Sequence, residues 1–313
     1  MRQLLLIVLA LSFSAAQAAE HIHIVIPGAA GGGWDRTARA TGEALTDTSL
    51  VQRVSFENMS GGGGAKGIAH LIEVTDPNMW LVNSTPIVVR SLLGVFPQNY
   101  RDLTPIASVI GDYSVIAVRQ QSPIRNLDEL AKIALADPRK MAIAGGSVTG
   151  GTDHIVAAMI LAAYEVQPSA VKYIPYDAGG KAMGGLLSGE VQALSSGYGE
   201  VVDLVEQGYV RLLCITADQP IPARPDLPTC AQAGAKEAYF VNWRGFFTSK
   251  GTPKALVEHY RSLLQNMQST SEWAELRDRY GWIDLHRSGP DFANMLAQQE
   301  AELEVLLTSL GMM

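Results

Sequence analysis

The sequence predicts an α/β fold with largely parallel sheets, and three observations predict it. Short β-branched apolar runs alternate with helix-like stretches along nearly the whole chain, the pattern that lays helices against parallel strands. Glycine clusters stand between a strand-like run and a helix-like one. No Pro-Gly-Ser linker divides the 313 residues, so if the chain forms two lobes, continuing strands must join them.

Ahead of the first element, residues 1–18 read as a secretory signal. Arg2 gives a positive start, residues 4–13 are apolar but for Ser12, and Ala16-Gln17-Ala18 is a small-residue cleavage site. The run is half of the about 20 apolar residues that a membrane span needs. Cleavage would leave Ala19 first in an exported protein.

Residues 22–26 then read as a strand ending at Pro27 and a glycine loop, and residues 35–45 as a helix with Asp35 suited to its first turn. Residues 51–56 are the next strand. Ser60 and four glycines lead into a helix over 65–74, and residues 79–82 form a short buried strand. Strands over 114–118 and 141–144 flank a helix over 126–136, where Leu127, Leu130 and Ile133 recur at helical spacing. An apolar helix over 151–164 follows a second glycine loop, and residues 171–174, 191–195 and 210–216 are strands with helices between them. The C-terminal third reads as mostly helical. Phe292, Met295, Leu296, Leu303, Leu306, Leu307 and Leu310 give it one apolar face.

Composition excludes two classes. With 24 Lys and Arg against 31 Asp and Glu, net charge −7, the chain lacks the basic stripe a nucleic-acid binder needs. Its 47% of hydrophobic residues exceeds what a disordered chain carries. Of 30 glycines, 20 fall in five clusters, at 28–33, 61–67, 145–151, 179–189 and 197–199. Cys214 lies in the apolar run 210–215, and Cys230 follows Pro228-Thr229 at a helix start. Two readings stand for them: a bridge closing a loop of about 15 residues, worth roughly 3 kcal/mol, or two separately buried thiols. Neither has metal-ligand spacing.

The glycine loops fail the phosphate patterns. Gly64-Ala65-Lys66-Gly67 and Gly180-Lys181-Ala182 lack the Gly-Lys-Ser/Thr of a P-loop, and Gly31-Gly32-Gly33-Trp34-Asp35-Arg36 breaks the dinucleotide fingerprint at its last glycine. Gly145-Gly146-Ser147-Val148-Thr149 lacks the closing glycine of a hydrolase elbow. None of the six histidines forms an H-E-x-x-H pair. His154 is either a ligand contact or a first-turn residue satisfied locally. What remains is anion binding by backbone amides at helix N-termini, and three clusters in one strand–loop–helix context point to a shared cleft.

Several segments resemble, in order, those of the periplasmic solute-binding receptors of tripartite tricarboxylate transporters, the Bug receptors. Ile24-Val25-Ile26-Pro27-Gly28-Ala29-Ala30-Gly31-Gly32-Gly33-Trp34-Asp35 is similar to their strand–AGGGxD–helix opening. Glu57-Asn58-Met59-Ser60-Gly61-Gly62-Gly63-Gly64 resembles the EN-x-x-G-A-G-G block, and Tyr173-Ile174-Pro175-Tyr176-Asp177-Ala178-Gly179-Gly180 the V-P-Y-x-G segment. Leu187-Ser188-Gly189-Glu190-Val191 and Leu227-Pro228-Thr229-Cys230-Ala231-Gln232-Ala233-Gly234 are similar to two later signatures. Ala29 departs from the family's second proline, and Trp34 from its small residue. Trp34, with Gly111-Asp112-Tyr113 and Trp243-Arg244-Gly245-Phe246, either marks the tricarboxylate-binding branch or reshapes the pocket for another carboxylate.

The resemblance implies a two-lobed periplasmic-binding-protein (Venus-flytrap) fold, each lobe a sheet flanked by helices, joined by two crossing strands. By position these are 114–118 and 210–216, with lobes of residues 19–118 plus 218–313 and of residues 119–217. It implies a periplasmic monomer, without enzyme activity, cofactor or metal, that takes a small di- or tricarboxylate, citrate-like favoured. Delivery would be to the membrane subunits of a tripartite tricarboxylate transporter. A sensor input to a membrane kinase is the alternative, with an exported hydrolase third. The ligand would lie on the amides of Gly31, Gly32, Gly33 and Trp34, with hydroxyls from Ser84 and Thr85. Thr149, Gly150, Gly151 and Thr152 would face it from the second lobe. Tyr176, Gly179 and Gly180 would be adjacent, and Tyr198 would cover the cleft. Asp35 and Asp153 would orient their loops, and Trp34 would either stack on the ligand or pack under the loop. Arg36, Arg39 and Arg244 are expected to be solvated surface charges.

Overall fold

The first strand is buried on both faces only toward its C-terminal end. β1 (His21–Ile26) is buried at Ile22, Ile24, Val25 and Ile26, with His21 and His23 half-buried on one face. It pairs in parallel with β2 (Arg53–Asn58) on one side and β3 (Met79–Ser84) on the other, with α1 (Gly33–Asp47) and α2 (Ala65–Glu73) connecting them. The computed structural model describes residues 21–222 and 224–313; the expected signal over 1–18 lies outside the described residues.

α3 (Pro86–Leu92) leads into β4 (Leu103–Arg119), a strand of 17 residues that runs through two sheets. The second sheet is built by the chain that follows: α4 (Leu127–Ala136), β5 (Ala142–Gly145), α5 (Thr152–Ala162), β6 (Lys172–Pro175), α6 (Gly179–Ser188), β7 (Ala193–Gly197), α7 (Tyr198–Glu206) and β8 (Val210–Ile215). The chain then returns to the first lobe with β9 (Val241–Ser249), α8 (Lys254–Gln268), α9 (Ser271–Tyr280), β10 (Arg287–Ser288) and α10 (Gly289–Ser309). The first sheet has the order β2-β1-β3-β9-β4-β10 and the second β6-β5-β7-β4-β8. The fold is two α/β lobes, each a sheet flanked by helices, joined by two strand passages. One passage is β4. In the other, Thr216 ties the return to β4: its amide donates to Ser114 O at 2.9 Å and its Oγ1 accepts from the Ser114 amide at 2.9 Å.

Three elements differ from expectation, each for a physical reason. The strand over 114–118 is the second half of β4. Its first half carries Pro105 and the Gly111-Asp112 pair, which read as breaks, and it keeps its pairing with β9 through register shifts between Pro105 and Ala107 and between Ser108 and Ile110. β9 itself went unread in a region expected to be helical. Asn242, Arg244 and Gly245 interrupt its apolar pattern, and Gly245 is required because a Cβ there would meet Ala107 O at 2.5 Å. Cys230 opens a turn rather than a helix, beside a single parallel bridge between Ile215 and Thr229. The two cysteines form the Cys214–Cys230 disulfide, with Cα atoms 4.8 Å apart.

Candidate functional site

Each lobe ends a central parallel strand in a glycine loop that opens a helix. After β1, Gly31 adopts φ +80°, Gly32 is an extended N-cap, and α1 begins at Gly33. After β5, Gly150 adopts φ +77°, Gly151 is an extended N-cap, and α5 begins at Thr152. The left-handed step favours glycine. An N-cap without a side chain leaves first-turn amides free of the capping bond that Ser or Asp would make. Helical bonding starts with the Arg36 amide on Gly32 O at 2.9 Å and the Ile155 amide on Gly151 O at 3.0 Å. The amides of Gly33, Trp34 and Thr152 precede those bonds, at the positive ends of the helix dipoles.

Aspartates hold both loops from within. Asp35 Oδ2 accepts the Gly31 amide at 3.0 Å, while its Oδ1 accepts from Arg39 Nε at 2.9 Å and Asn58 Nδ2 at 3.0 Å. Asp153 Oδ2 accepts the Ser147 amide, and Ser147 Oγ accepts the Asp153 amide, both at 3.0 Å.

A cavity of about 550 Å³ lies between the lobes. Of the expected residues, Gly32, Gly33, Trp34 and Ser84 line it from the first lobe, and Gly151, Thr152, Tyr176 and Gly179 from the second. Trp34 packs under its loop as well as walling the cavity. Its Nε1 donates to Ser84 Oγ at 2.9 Å, and a Cβ on Gly28 would come within 3.1 Å of its ring. The lobes touch around the cavity: Ser60 Oγ donates to Asp177 Oδ1 at 2.5 Å, Arg36 pairs with Asp203 at 3.1 Å, and a Cβ on Gly32 would stand 2.9 Å from that of Ala178.

The other expected residues stand behind the lining. Asp35 and Thr149 are outside it, Gly31 and Gly180 face each other across the lobe junction, and Gly150 donates its amide to His154 Nδ1 at 3.0 Å. His154 is therefore a locally satisfied residue, stacked 4.7 Å from the Tyr173 ring. Thr85 is buried, its Oγ1 accepting from Gln299 at 3.2 Å. Tyr198 packs in the apolar core of the second lobe and not over the cleft; α7 turns Glu200 toward the cavity instead.

Five charged residues of the lining were not among the expected ligand contacts: Arg90, Asp153, Asp177, Glu200 and Arg244. The expectation that Arg244 is solvated is corrected, for its side chain is 2% exposed. β9 lies between β3 and β4, and the Arg244 side chain leaves the sheet face to pack against Gly33 and Thr37 of α1 and Glu200 of α7. Arg244 Nη2 lies 2.9 Å from Asp112 Oδ2 and 3.2 Å from Glu200 Oε1. Its guanidinium occupies the place a Gly33 Cβ would take, so Gly33 is dictated by packing. Burial raises the Asp112 carboxyl above the usual range, against the pull of Arg244. Burial pushes Glu200 up to about 7, Arg244 opposing and Asp153 and Asp112 adding to it. Asp153 is pushed up to about 6 by burial, against the hydrogen bonds from Ser147. The available signal was a lone charge inside an apolar stretch: Arg244 within Trp243 to Phe247, Arg90 after Ile87-Val88-Val89.

Two lobes that close on a cavity walled by backbone amides from both sides define a solute-binding receptor. The chain belongs to the tripartite tricarboxylate transporter family receptors, whose family model matches residues 37–312. A curated relative, the UPF0065 protein in the tcbD-tcbE intergenic region of Pseudomonas sp. (strain P51), is 27% identical over 282 residues, 89% of this chain and 82% of that one. The structure of the periplasmic binding protein BugD superposes with a TM-score of 0.85 at 25% identity, covering 93% of this chain and 97% of that one. MatC from Rhodopseudomonas palustris with bound malate shares the fold, with a TM-score of 0.82 at 21% identity over 92% of this chain and 98% of that one.

Proposed function

We propose that this protein is an exported periplasmic receptor, and not an enzyme, that captures a small di- or tricarboxylate between its lobes, citrate-like acids favoured. It hands the acid to the membrane subunits of a tripartite tricarboxylate transporter. One observation carries the reading: helix N-termini with glycine N-caps, one from each lobe, open onto a single cavity. Neutral amides grip a carboxylate without a lysine or arginine that must first be desolvated. The malate in the related MatC supports the ligand class. The contacts assigned are the amides of Gly32, Gly33, Trp34 and Thr152, with Gly151, Ser84, Tyr176 and Gly179 beside them; the Gly151 amide itself is given to Val148 O at 2.7 Å. The bodies that close are the first lobe, with β9 through α10, and the second lobe, to which the Cys214–Cys230 disulfide also ties the turn that follows β8. Closure is favoured by contacts the ligand makes to both at once.

A thermal-shift panel of malate, citrate, adipate and acetate tests this reading. At 100 times its Kd a true ligand adds about 2.7 kcal/mol, a rise of several degrees for a chain of this size. No shift with any acid contradicts the reading. Gly32→Val places a side chain against Ala178 of the other lobe. It is expected to abolish the ligand-induced shift while leaving the unliganded melting temperature unchanged.

A further inference from the structure

The cavity's two arginines are in opposite electrostatic states. Arg244 is consumed by the protein, with Asp112 and Glu200 both within 3.2 Å; that cluster carries two carboxylates for one guanidinium and has no positive charge to offer an anion. Arg90, on α3, has no acidic partner among the described residues, and burial alone shifts its pKa, downward. The residue is 6% exposed and its Nε lacks any hydrogen-bond partner. Its guanidinium carbon lies 5.1 Å from the centre of the Phe96 ring. A Cβ on Gly63 would strike Nη1, with Val148 of the second lobe 3.2 Å from the same point. The guanidinium therefore sits at the cavity wall where the two lobes meet.

A buried cation without acceptors is costly, and a guanidinium does not relieve that cost by losing its proton at neutral pH. Its planar fork matches a carboxylate with two parallel hydrogen bonds. We propose that Arg90 is a specificity-determining residue that takes a carboxylate of the ligand other than the one held by the loop amides. The preferred ligand is then an acid with at least two carboxylates, one of which reaches α3; a monocarboxylate leaves Arg90 unpaired. The acids of the lining are engaged elsewhere: Glu200 pairs with Arg244 and Asp153 with Ser147. This inference rests on the carboxylate-receptor reading above and adds the residue that counts the carboxylates.

The test is calorimetric titration of the full chain with tricarballylate, glutarate and butyrate, a series in which each acid loses one carboxylate from the last. The wild-type protein, Arg90→Gln and Arg90→Lys are compared, with malate and citrate as references. For the wild-type protein, a step of at least tenfold in Kd is expected where the series loses the group that reaches Arg90. Arg90→Gln is expected to lose at least tenfold on the acid bound best, to leave the weaker acids unchanged and so to erase that step. Arg90→Lys restores part of it. The unliganded melting temperature of Arg90→Gln should be equal or higher, since an unpaired buried charge is gone. Binding of the best acid by Arg90→Gln within twofold of wild type, or an equal loss on every acid, overturns the inference while the carboxylate reading stands. Failure of the wild-type protein to bind any of the five acids overturns both.

Discussion

The loop that opens α1 and the loop that opens α5 share a left-handed glycine, an extended glycine N-cap and an aspartate in the first turn, yet they are held by different chemistry. Asp35 answers the Gly31 amide while a guanidinium and an amide side chain share its other oxygen. Asp153 exchanges hydrogen bonds with Ser147 and makes no ion pair among the described residues, and burial pushes it up to about 6. The first lobe's loop is thus neutralised from within. The second lobe's loop titrates, together with Glu200 at the same cavity wall. One backbone device serves both lobes, and the counter-charge behind it differs.

The largest effect is expected at the residue that holds both sides. Arg244 packs against Gly33 of the first loop and pairs with Glu200 near Gly179. Arg244→Met strands Asp112 and Glu200 and should cost about 3–5 kcal/mol in urea unfolding at pH 8. The cost should shrink as pH falls below about 7, where Glu200 takes up its proton, with burial raising Asp112 in the same direction. A cost that does not depend on pH breaks the electrostatic account of this cluster.

The two N-cap glycines separate closure from folding. A Cβ on Gly151 would meet Ser147 Cβ and Val148 O at 2.8 Å, inside its own loop, whereas one on Gly32 meets Ala178 of the facing lobe. Gly151→Val should lower unfolding stability by about 1–3 kcal/mol. Gly32→Val should stay within about 0.5 kcal/mol of wild type. Equal losses in both would show that Gly32, like Gly151, is required by its own loop and not by the facing lobe.

Titration follows next in size. Both Glu200 and Asp153 hold protons more tightly in the fold than in the unfolded chain, so their contribution to stability is present at low pH and lost as pH rises through about 6 to 7. An anion in the cavity meets two added negative charges over the same window. Its Kd should rise by about tenfold between pH 6 and pH 8, the order of a screened repulsion. Asp153→Asn should flatten the lower part of that profile, and Asp35→Asn should leave it in place. The smallest effect is on stability: Asp35→Asn loses a half-exposed pair with Arg39 and should cost about 0.5–1 kcal/mol.

What the sequence disclosed depended on whether a residue's environment is local. β1, β5, α1, α5 and α10 were legible because apolar periodicity and glycine position are properties of a few consecutive residues. The glycines at 31–33 and 150–151 announced the loops for the same reason. β9 was not legible, because Arg244 looks like a surface charge until α1 and α7 pack against it. Arg90 was hidden by its setting among Ile87, Val88 and Val89, where one charge reads as the polar edge of a helix. Tyr198 misled in the opposite sense: an aromatic next to a glycine suggested a cleft cover, but the first turn of α7 packs it into the core and turns Glu200 outward.

The central claim is that amides of both lobes grip one carboxylate ligand. Incorporating ¹⁵N at glycine alone reports directly on them, because the 30 glycines of the sequence include the cap of each helix. On saturation with the acid that stabilises most in the thermal-shift panel, the amide resonances of Gly32, Gly33 and Gly151 should move together, while that of Gly311 at the far terminus stays put. Movement confined to one lobe's glycines, or none at either loop, would contradict the account.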